Sequence, residues 1–220
     1  MKRVPTAELL DTDAGTPEEV SSSLSDLRFI NRNFGGGPTT RSMVERVARS
    51  TGARELSLLE VAAGSGDVPR AAREKLAELG IAIRVTLLDR SAAHVGNGSR
   101  SVLGDALALP FQDESFDLVS SGLFAHHLPP DDVVRLVNEG LRVCRCAVLI
   151  NDLIRHPLHL AMVYAGWPLY RSRLTRHDAP ASVRQAYTIP EMRHILGATM
   201  ASRVDVTRHY LFRMGVIVWK

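Results

Sequence analysis

The sequence predicts an α/β fold in which a parallel β-sheet is covered by helices on both faces. Between residues 55 and 151, short apolar runs alternate with segments of helical periodicity, which is the rhythm of parallel strands joined by crossover helices. The runs are nearly continuous rather than alternating, as expected of strands buried on both faces. A chain of 220 residues with 45% hydrophobic residues fits a single domain that carries a small lid.

The first part of the chain predicts an N-terminal helical cap over residues 1–50. One helix begins at Thr16-Pro17-Glu18-Glu19, where a capping hydroxyl precedes a proline and two acids, and it runs to about Ile30. The polar and glycine-rich residues 31–38 end it. A second helix follows, and its apolar face is formed by Met43, Val44, Val47 and Ala48.

Residues 55–151 predict the core of the domain. Five strands are expected there, at 56–61, 81–88, 101–103, 116–121 and 147–151. A helix follows the turn Gly64-Ser65-Gly66 and is closed by Gly80. Another begins at residues 129–132, where two prolines precede two acids, and its apolar side chains recur four apart.

After residue 151 the alternation breaks, which predicts a lid for the substrate over residues 152–187. An apolar helix interrupted at Pro168 is followed there by a polar run at 171–178. Residues 188–220 predict a terminal helix from Ile189 and then a hairpin of strands. An insertion at this point lies at the carboxyl ends of the strands, where open α/β sheets bind ligands.

Composition argues against several classes of protein. The N-terminus lacks the apolar core of a signal peptide, and the longest apolar run, 158–170, is shorter than the roughly 20 residues that cross a bilayer. Cys144 and Cys146 lie as C-x-C at the end of a predicted helix, with no second pair at metal-ligand spacing, so we expect no metal site. Two cysteines without a bridge framework indicate a reducing compartment, and we expect a cytoplasmic protein without a membrane partner.

The strongest local motif is the run from Leu58 to Asp67, Leu-Leu-Glu-Val-Ala-Ala-Gly-Ser-Gly-Asp. A buried strand ends in an acid, a turn of small residues follows, and a helix begins. Small residues let a ligand approach the backbone closely, and the helix N-terminus offers free N–H groups. A dinucleotide site shares this pattern but requires a third glycine where the chain has Pro69.

Two further acids follow the next strands in order. Asp89 ends the second strand, where a carboxylate can accept both hydroxyls of a ribose; a helix cap is the alternative for this residue. Asp105 comes just after the third strand, where it can accept a hydrogen bond from an exocyclic amine. The segment 113–119, Asp-Glu-Ser-Phe-Asp-Leu-Val, then leads into the fourth strand.

With these motifs, residues 55–150 resemble the class I S-adenosylmethionine-dependent methyltransferases of the ubiquinone/menaquinone-biosynthesis type and their natural-product relatives. The resemblance implies a Rossmann-like sheet of seven strands in the order 3-2-1-4-5-7-6, with helical lid elements. It implies S-adenosylmethionine as cofactor. One departure is Ala62, which stands where the family usually has the first glycine of the turn.

The resemblance also assigns roles to residues of this chain. The turn would hold the amino-acid end of the cofactor, Asp89 would hold the ribose, and Arg90 would lie beside the adenine. Residues 29–36 look like a segment that folds over the cofactor in some relatives, or form a plain linker between helices. The expected cofactor-binding residues are Asn31, Phe34, Glu60, Ala62, Ala63, Gly64, Gly66, Asp67, Asp89, Arg90, Asp105, Ala106, Ser120 and Ser121.

A hydroxyl acceptor needs a general base, and histidine is the natural candidate. His126 and His127 follow the fourth strand, and we expect only one of two adjacent side chains to enter the site. His177 lies in the predicted lid and is the next candidate, and His156 is the third. Tyr164, Trp167 and Tyr170 are the expected acceptor-binding residues, since aromatic side chains suit a flat organic ligand; core packing is the alternative for them.

The leading functional hypothesis is O-methylation of a small phenolic or polyketide-like acceptor. The rivals are C-methylation of a quinone-like ring, an RNA or protein methyltransferase, and a cofactor-binding protein without catalysis. The net charge is +3 and is carried mostly by arginines scattered along the chain, so nucleic acid is not an expected partner. A homodimer is left open.

Overall fold

A computed structural model describes residues 1–10, 15–91 and 100–220 of the chain. The helices within these ranges are α1 (Pro17–Asn33), α2 (Gly36–Thr51), α3 (Asp67–Ala77), α4 (Pro130–Val143), α5 (Pro157–Ala165), α6 (Arg173–Gln185) and α7 (Ile189–Leu196). The strands are β1 (Glu55–Val61), β2 (Ala82–Asp89), β3 (Arg100–Leu103), β4 (Phe116–Gly122), β5 (Cys144–Leu153), β6 (Arg203–His209) and β7 (Arg213–Trp219).

The strands form one sheet in the order β3-β2-β1-β4-β5-β7-β6, which confirms the predicted fold class. The five strands from β1 to β5 run parallel, and β7 pairs antiparallel with both β5 and β6. Because β7 enters the sheet in reverse, its first residue, Arg213, pairs with Leu153 at the carboxyl end of β5. The hairpin thereby contributes side chains to the edge of the sheet where ligands bind in this architecture.

Two apolar cores lie on opposite faces of the sheet. One packs α4 and α7 against β4, β5 and β7, with Val137 and Leu141 of α4 both buried. The other packs α2 and α3 on the opposite face, where the predicted apolar stripe of α2 is at most 3% exposed. The sheet is therefore covered on both sides, as its continuous apolar strands predict.

Three element boundaries differ from the prediction. Helix α2 begins at Gly36, so only Phe34 and Gly35 separate it from α1, since glycine and Pro38 are tolerated in a first helical turn. Strand β5 begins at Cys144, which places both cysteines in a strand rather than at a helix end. Helix α6 takes up the predicted polar run and includes Pro180. No helix in the described ranges is both long and apolar enough to span a membrane.

The N-terminal segment, residues 1–10, lies against α6 and against the short 3-10 helix Ala125–His127 after β4. The Arg3 guanidinium donates to the carbonyl oxygens of Gln185, His126 and Leu128 at 2.6–3.0 Å. The N–H groups of Leu9 and Leu10 donate to the Asp178 carboxylate. These contacts bring the start of the chain to the carboxyl end of the sheet.

Candidate active site

A cavity of about 720 Å³ lies at the carboxyl ends of β1, β2, β4 and β5 and is roofed by α1, α5 and α6. Its volume falls within the range of roughly 300–1,000 Å³ that is usual for small-molecule sites. Eleven of the expected cofactor-binding residues line it: Asn31, Phe34, Glu60, Ala62, Ala63, Gly64, Asp67, Asp89, Arg90, Asp105 and Ala106. Gly66, Ser120 and Ser121 are not among the lining residues.

The turn after β1 gives the cavity a floor of backbone groups. Ala62, Gly64 and Gly66 have φ angles of 50°, 51° and 67°, a left-handed conformation that favours glycine. A Cβ added at Gly64 would meet nothing within 4 Å, whereas one at Gly66 would lie 2.6 Å from Leu87 Cδ1. Gly64 therefore leaves room for a ligand, and Gly66 lets α3 pack on β2.

Asp89 ties this turn to the end of β2. Its carboxylate accepts the Gly64 N–H at 2.9 Å and the Ser91 N–H at 3.0 Å. A carboxylate offers about four acceptor positions, and the side chain is 9% exposed at the cavity wall. The residue thus both holds the turn and presents an acceptor to the cavity.

Glu60 presents a buried carboxyl group to the same space. Burial raises its pKa to about 7. Its Oε2 atom and the hydroxyl groups of Ser120 and Ser121, which lie opposite on β4, have no hydrogen-bond partner within the described ranges. Buried polar atoms are rarely left without a partner, so this corner is suited to a polar, cationic ligand group.

Arg90 and Asp105 form the outer end of the cavity. Their side chains are paired at 3.0 Å, with Arg90 79% exposed. The Leu107 N–H and the Arg90 charge hold the pKa of Asp105 below its ordinary value. The Asp105 carboxylate is therefore ionised and partly open to a donor on a ligand.

The segment from Asn31 to Phe34 is held by Arg213, which is 1% exposed at the start of β7. The guanidinium donates to Asn31 Oδ1 at 2.7 Å and to the Phe34 carbonyl oxygen at 3.2 Å. Burial lowers its pKa to about 10. Residues 31–34 thus form a wall of the cavity rather than a plain linker.

The turn before Arg213 is strained. Leu211 and Phe212 have φ angles of 47° and 61°, which side chains other than glycine, asparagine and aspartate rarely adopt. Leu211 lines the cavity, and the Phe212 ring stacks on His156 and His159 at centroid distances of 5.0 and 5.1 Å. The strain is compatible with a role in shaping the cavity, where strained backbone often occurs.

Both rings of the His126–His127 pair line the cavity, with their centroids 4.2 Å apart. The structure thus differs from the expectation that only one of the two side chains would enter the site. His126 is 2% exposed. Its Nδ1 lies 2.6 Å from Asp152 Oδ1, and its backbone N–H donates to Asp152 Oδ2 at 2.9 Å.

A second carboxylate approaches this pair from the N-terminal segment. Glu8 Oε1 lies 3.7 Å from His126 Nε2 and 4.0 Å from His127 Nε2. Burial works to lower the pKa of His126, but the charges and hydrogen bonds of Asp152 and Glu8 outweigh it and raise that pKa. His126 and Asp152 are therefore an ion pair in the ligand-free protein.

The remaining expected catalytic histidines lie elsewhere. The His177 ring is 44% exposed, bonds Asp178 at 2.8 Å and is not among the cavity-lining residues. His156 Nδ1 accepts the Leu158 N–H and so caps α5, and it is also not a lining residue. His156 is therefore the N-terminal cap of α5, and His177 lies on the surface of α6.

Of the three aromatic residues expected to bind the acceptor, only Tyr170 lines the cavity. Tyr164 and Trp167 pack edge to face on the outer surface at 6.0 Å and are 39% and 47% exposed. Their polar atoms bond Arg184 and the Arg176 carbonyl oxygen. The end of α5 and the 3-10 helix Trp167–Leu169 that follows it present these two rings to the outer side of the lid, which the apolar sequence did not indicate.

The polar residues of the site that were not predicted from the sequence include Glu8, Asp152, His159 and Arg213. Asp152 carries the same signal as Glu60 and Asp89, since it is an acid at the carboxyl end of a strand. His159 interrupts an apolar helical run, which is a weaker signal. Glu8 and Arg213 have no local motif.

Residues 59–147 match a family model described as a methyltransferase domain. These residues are thus similar to methyltransferase domains. The match confirms the resemblance seen in the sequence, and methyltransferase domains of this class take the methyl group from S-adenosylmethionine. No curated protein sequence matches the chain.

Solved structures with the same fold as this chain include the plantazolicin methyltransferase BpumL in complex with a monoazolic desmethylPZN analog and SAH. It is 11% identical, covers 96% of this chain and 92% of its own, and has a TM-score of 0.69. A SAM-dependent methyltransferase from Aquifex aeolicus is 16% identical over 80% and 88% of the two chains, with a TM-score of 0.54. BamL, another plantazolicin methyltransferase, is 14% identical over 92% and 91%, with a TM-score of 0.65.

The residues that line the cavity fit S-adenosylmethionine. The unpartnered Oε2 of Glu60 suits the ammonium of the cofactor's amino-acid end. The open space above Gly64 suits close contact with the backbone, and Asp89 and Asp105 present acceptors farther along the cavity.

Proposed function

We propose that the protein transfers a methyl group from S-adenosylmethionine to a hydroxyl oxygen of a small phenolic or polyketide-like acceptor. One observation carries this proposal: a single cavity joins the Glu60–Asp89–Asp105 side to the His126–His127 pair. The side with Glu60, Asp89 and Asp105 fits the cofactor, and the His126–His127 pair offers imidazole groups that can take part in proton transfer. The desmethylPZN analog beside SAH in the BpumL structure supports an organic acceptor.

The wall between the two sides favours an apolar, flat acceptor. It is formed largely by apolar and aromatic side chains of α1, α5 and α6 and of the loop after β4: Leu24, Leu27, Phe124, Leu128, Met162, Val163, Leu169, Tyr170 and Val183. A site with a few convergent polar groups in an apolar wall is typical of small-molecule recognition. Nucleic acid would instead require a basic surface around the opening.

The histidine cluster accounts for oxygen as the methylated atom. Methyl transfer from a sulfonium is an in-line displacement, so the protein chiefly aligns the acceptor and excludes water. A phenolic hydroxyl, with a pKa of about 10, must also lose its proton. Beside the cavity, the charge of the protonated His126 can stabilise the phenolate that forms, and His127 is the neighbouring ring that can accept the proton.

The test is incubation of the purified protein with methyl-labelled S-adenosylmethionine and a panel of phenols, hydroxyquinones and azole peptides. We expect one methyl group on the product, and carbon NMR should show it at the shift of an O-methyl group. Asp89→Ala is the control that should lose turnover through weak cofactor binding. A C-methyl product contradicts the oxygen assignment, and tight SAH binding without turnover on any acceptor favours a cofactor-binding protein.

A further inference from the structure

We propose that Glu8, His126 and His127 form a binding site for a single zinc ion in the wall of the cavity. One oxygen and two ring nitrogens of these residues lie within 4.8 Å of one another. The residues come from two distant parts of the chain and meet only because the N-terminal segment packs against the 3-10 helix after β4. The sequence predicted no metal site, because Glu8 lies far from the two histidines in sequence and the three residues form no recognisable metal-binding motif.

The donor set selects the metal. Two imidazoles and one carboxylate are a common ligand set of catalytic zinc, with the fourth position left for water or substrate. Imidazole also suits other transition metals but is a poor ligand for magnesium and calcium. Zinc bonds of about 2.0–2.1 Å place tetrahedral ligands roughly 3.3 Å apart. The separations from Glu8 Oε1 to the two histidines are 3.7 and 4.0 Å, and all three ligand atoms lie within 4.8 Å of one another, so side-chain movements of up to about 1.5 Å bring them to these positions.

His126 supplies an independent observation. Its Nε2 atom is buried in the cavity wall and faces the Glu8 carboxylate 3.7 Å away, so a metal ion bound there would replace the Nε2 proton. Its other ring nitrogen is 2.6 Å from the Asp152 carboxylate. Histidine ligands of zinc almost always donate their second N–H to a carboxylate or carbonyl, which fixes the ring and aims the other nitrogen at the metal. Asp152 is in the position of that supporting carboxylate.

The carboxylate ligand is supported in the same way. Glu8 Oε1 accepts the Ser182 hydroxyl at 2.5 Å and the Gln185 side-chain amide at 2.7 Å. Both donors come from α6, and Glu8 is 9% exposed. Ligating carboxylates are usually hydrogen-bonded to such outer groups, but both bonds occupy Oε1, so one of the two donors must turn away from Oε1 when this atom binds the ion. The side chains of Glu8 and His126 are therefore buried and held in place by hydrogen bonds before any metal binds.

A zinc ion there would hold the acceptor oxygen and lower the pKa of its hydroxyl group, which is the chemistry that such an ion supplies. This role rests on the proposed O-methylation, whereas the binding of the metal does not. The binding is therefore tested with neither cofactor nor acceptor present.

The experiment titrates the tag-free, metal-stripped protein with Co²⁺ followed by visible absorption, and with Zn²⁺ followed by calorimetry. We expect one equivalent of each metal and the intense absorption of four-coordinate cobalt. His127→Ala and Glu8→Gln should each weaken zinc binding at least about tenfold and abolish the cobalt band. His177→Ala is the matched control, since it removes another histidine paired with an aspartate but outside the cavity, and it should bind both metals as the unaltered protein does.

Three results would overturn the metal site: no stoichiometric zinc binding, a cobalt spectrum typical of six-coordinate surface sites, or unchanged binding in both ligand variants. In each case the cluster is an imidazolium held between two carboxylates. Circular dichroism of each variant shows whether it is folded, and because His127 is partly exposed, its alanine variant gives a reading independent of the buried His126. A protein that binds zinc but methylates no oxygen leaves the site standing and refutes only the proposed function.

Discussion

The two ends of the cavity are built in different ways. At the cofactor end, Glu60, Gly64, Asp89 and Asp105 follow successive strands and act partly through backbone groups. At the acceptor end, Glu8, His126 and Asp152 come from separate segments and meet as buried charged side chains. Gln185 reaches Glu8 across 177 positions of sequence, whereas Gly64 and Asp89 are 25 apart.

This difference separates binding from stability. At the cofactor end, Asp89 and Asp105 accept hydrogen bonds from backbone N–H groups and the buried Glu60 lowers its charge by taking up a proton, so removing one of these groups should mainly weaken binding of the ligand. The charges at the acceptor end are desolvated and hold the N-terminal segment to the sheet, so removing one leaves an uncompensated buried charge. The predictions below test this contrast, from the largest expected effect to the smallest.

Asp152→Ala should lower the free energy of unfolding by about 3–5 kcal/mol, since it strands the charge of His126 in the core. Burial works to raise the pKa of Asp152, but its pairing with His126 outweighs this and lowers the pKa, which shows how strongly the two depend on each other. Urea denaturation followed by circular dichroism measures the loss.

The surface pair provides the control for that prediction. His177 and Asp178 make the same type of contact at 2.8 Å, but the histidine is 44% exposed. His177→Ala should therefore cost less than about 1 kcal/mol. If Asp152→Ala costs no more than His177→Ala does, the acceptor end is not held by its buried ion pair.

Asp89→Ala should weaken SAH binding by about 1–3 kcal/mol, which is about 5- to 150-fold in Kd, and change stability less than Asp152→Ala does. The carboxylate holds the Gly64 N–H and is expected to bind the ribose. Calorimetry with SAH gives the affinity. Asp113→Ala removes a carboxylate that is 74% exposed and lies outside the cavity, and an equal loss of affinity there would remove Asp89 from the site.

The same contrast explains what the sequence could predict. The sheet order and the cofactor end follow from strands, turns and acids that lie close together in sequence. Asp152 carries the same strand-end signal and was within reach. Glu8 and Arg213 were not, because their positions depend on how the N-terminal segment and the strained β6–β7 turn pack. Tyr164 and Trp167 were predicted to line the cavity but do not. The nine residues of α5 are apolar all round, so the sequence does not indicate which side of this helix, or of the short 3-10 helix after it, faces the cavity.

Acidification should weaken SAH binding through Glu60. Its carboxyl group keeps a proton up to about pH 7 in the folded protein, against 4.5 ordinarily, so this group's contribution to stability is full at low pH and falls as the pH rises between these values. The ammonium of SAH favours the ionised carboxylate, so the Kd should rise as the pH falls below about 7, by at most about tenfold per pH unit.

Glu60→Gln should flatten this pH profile, because the amide does not titrate. Asp89→Ala should shift the whole profile to weaker binding without flattening it. Calorimetry across the pH range, repeated in a second buffer to count protons released, distinguishes the two. Parallel profiles for Glu60→Gln and the unaltered protein would show that Glu60 does not meet the ammonium.

Backbone strain occurs at both ends, and its smallest test is at the cofactor end. Ala62 has a φ of 50°, a conformation in which a side chain costs about 1–2 kcal/mol of strain. Replacement by glycine relieves this strain, but it also costs about 0.5–1 kcal/mol because glycine gives the unfolded chain more conformational freedom. Ala62→Gly should therefore stabilise the protein by up to about 1.5 kcal/mol. The neighbouring Ala63→Gly is the matched control, because Ala63 is not among the residues with positive φ, and it should instead destabilise by about 0.5–1 kcal/mol. Equal losses in the two variants, measured by urea denaturation, would mean that the Ala62 side chain makes contacts that outweigh its strain, and that the turn is shaped by packing as the acceptor end is.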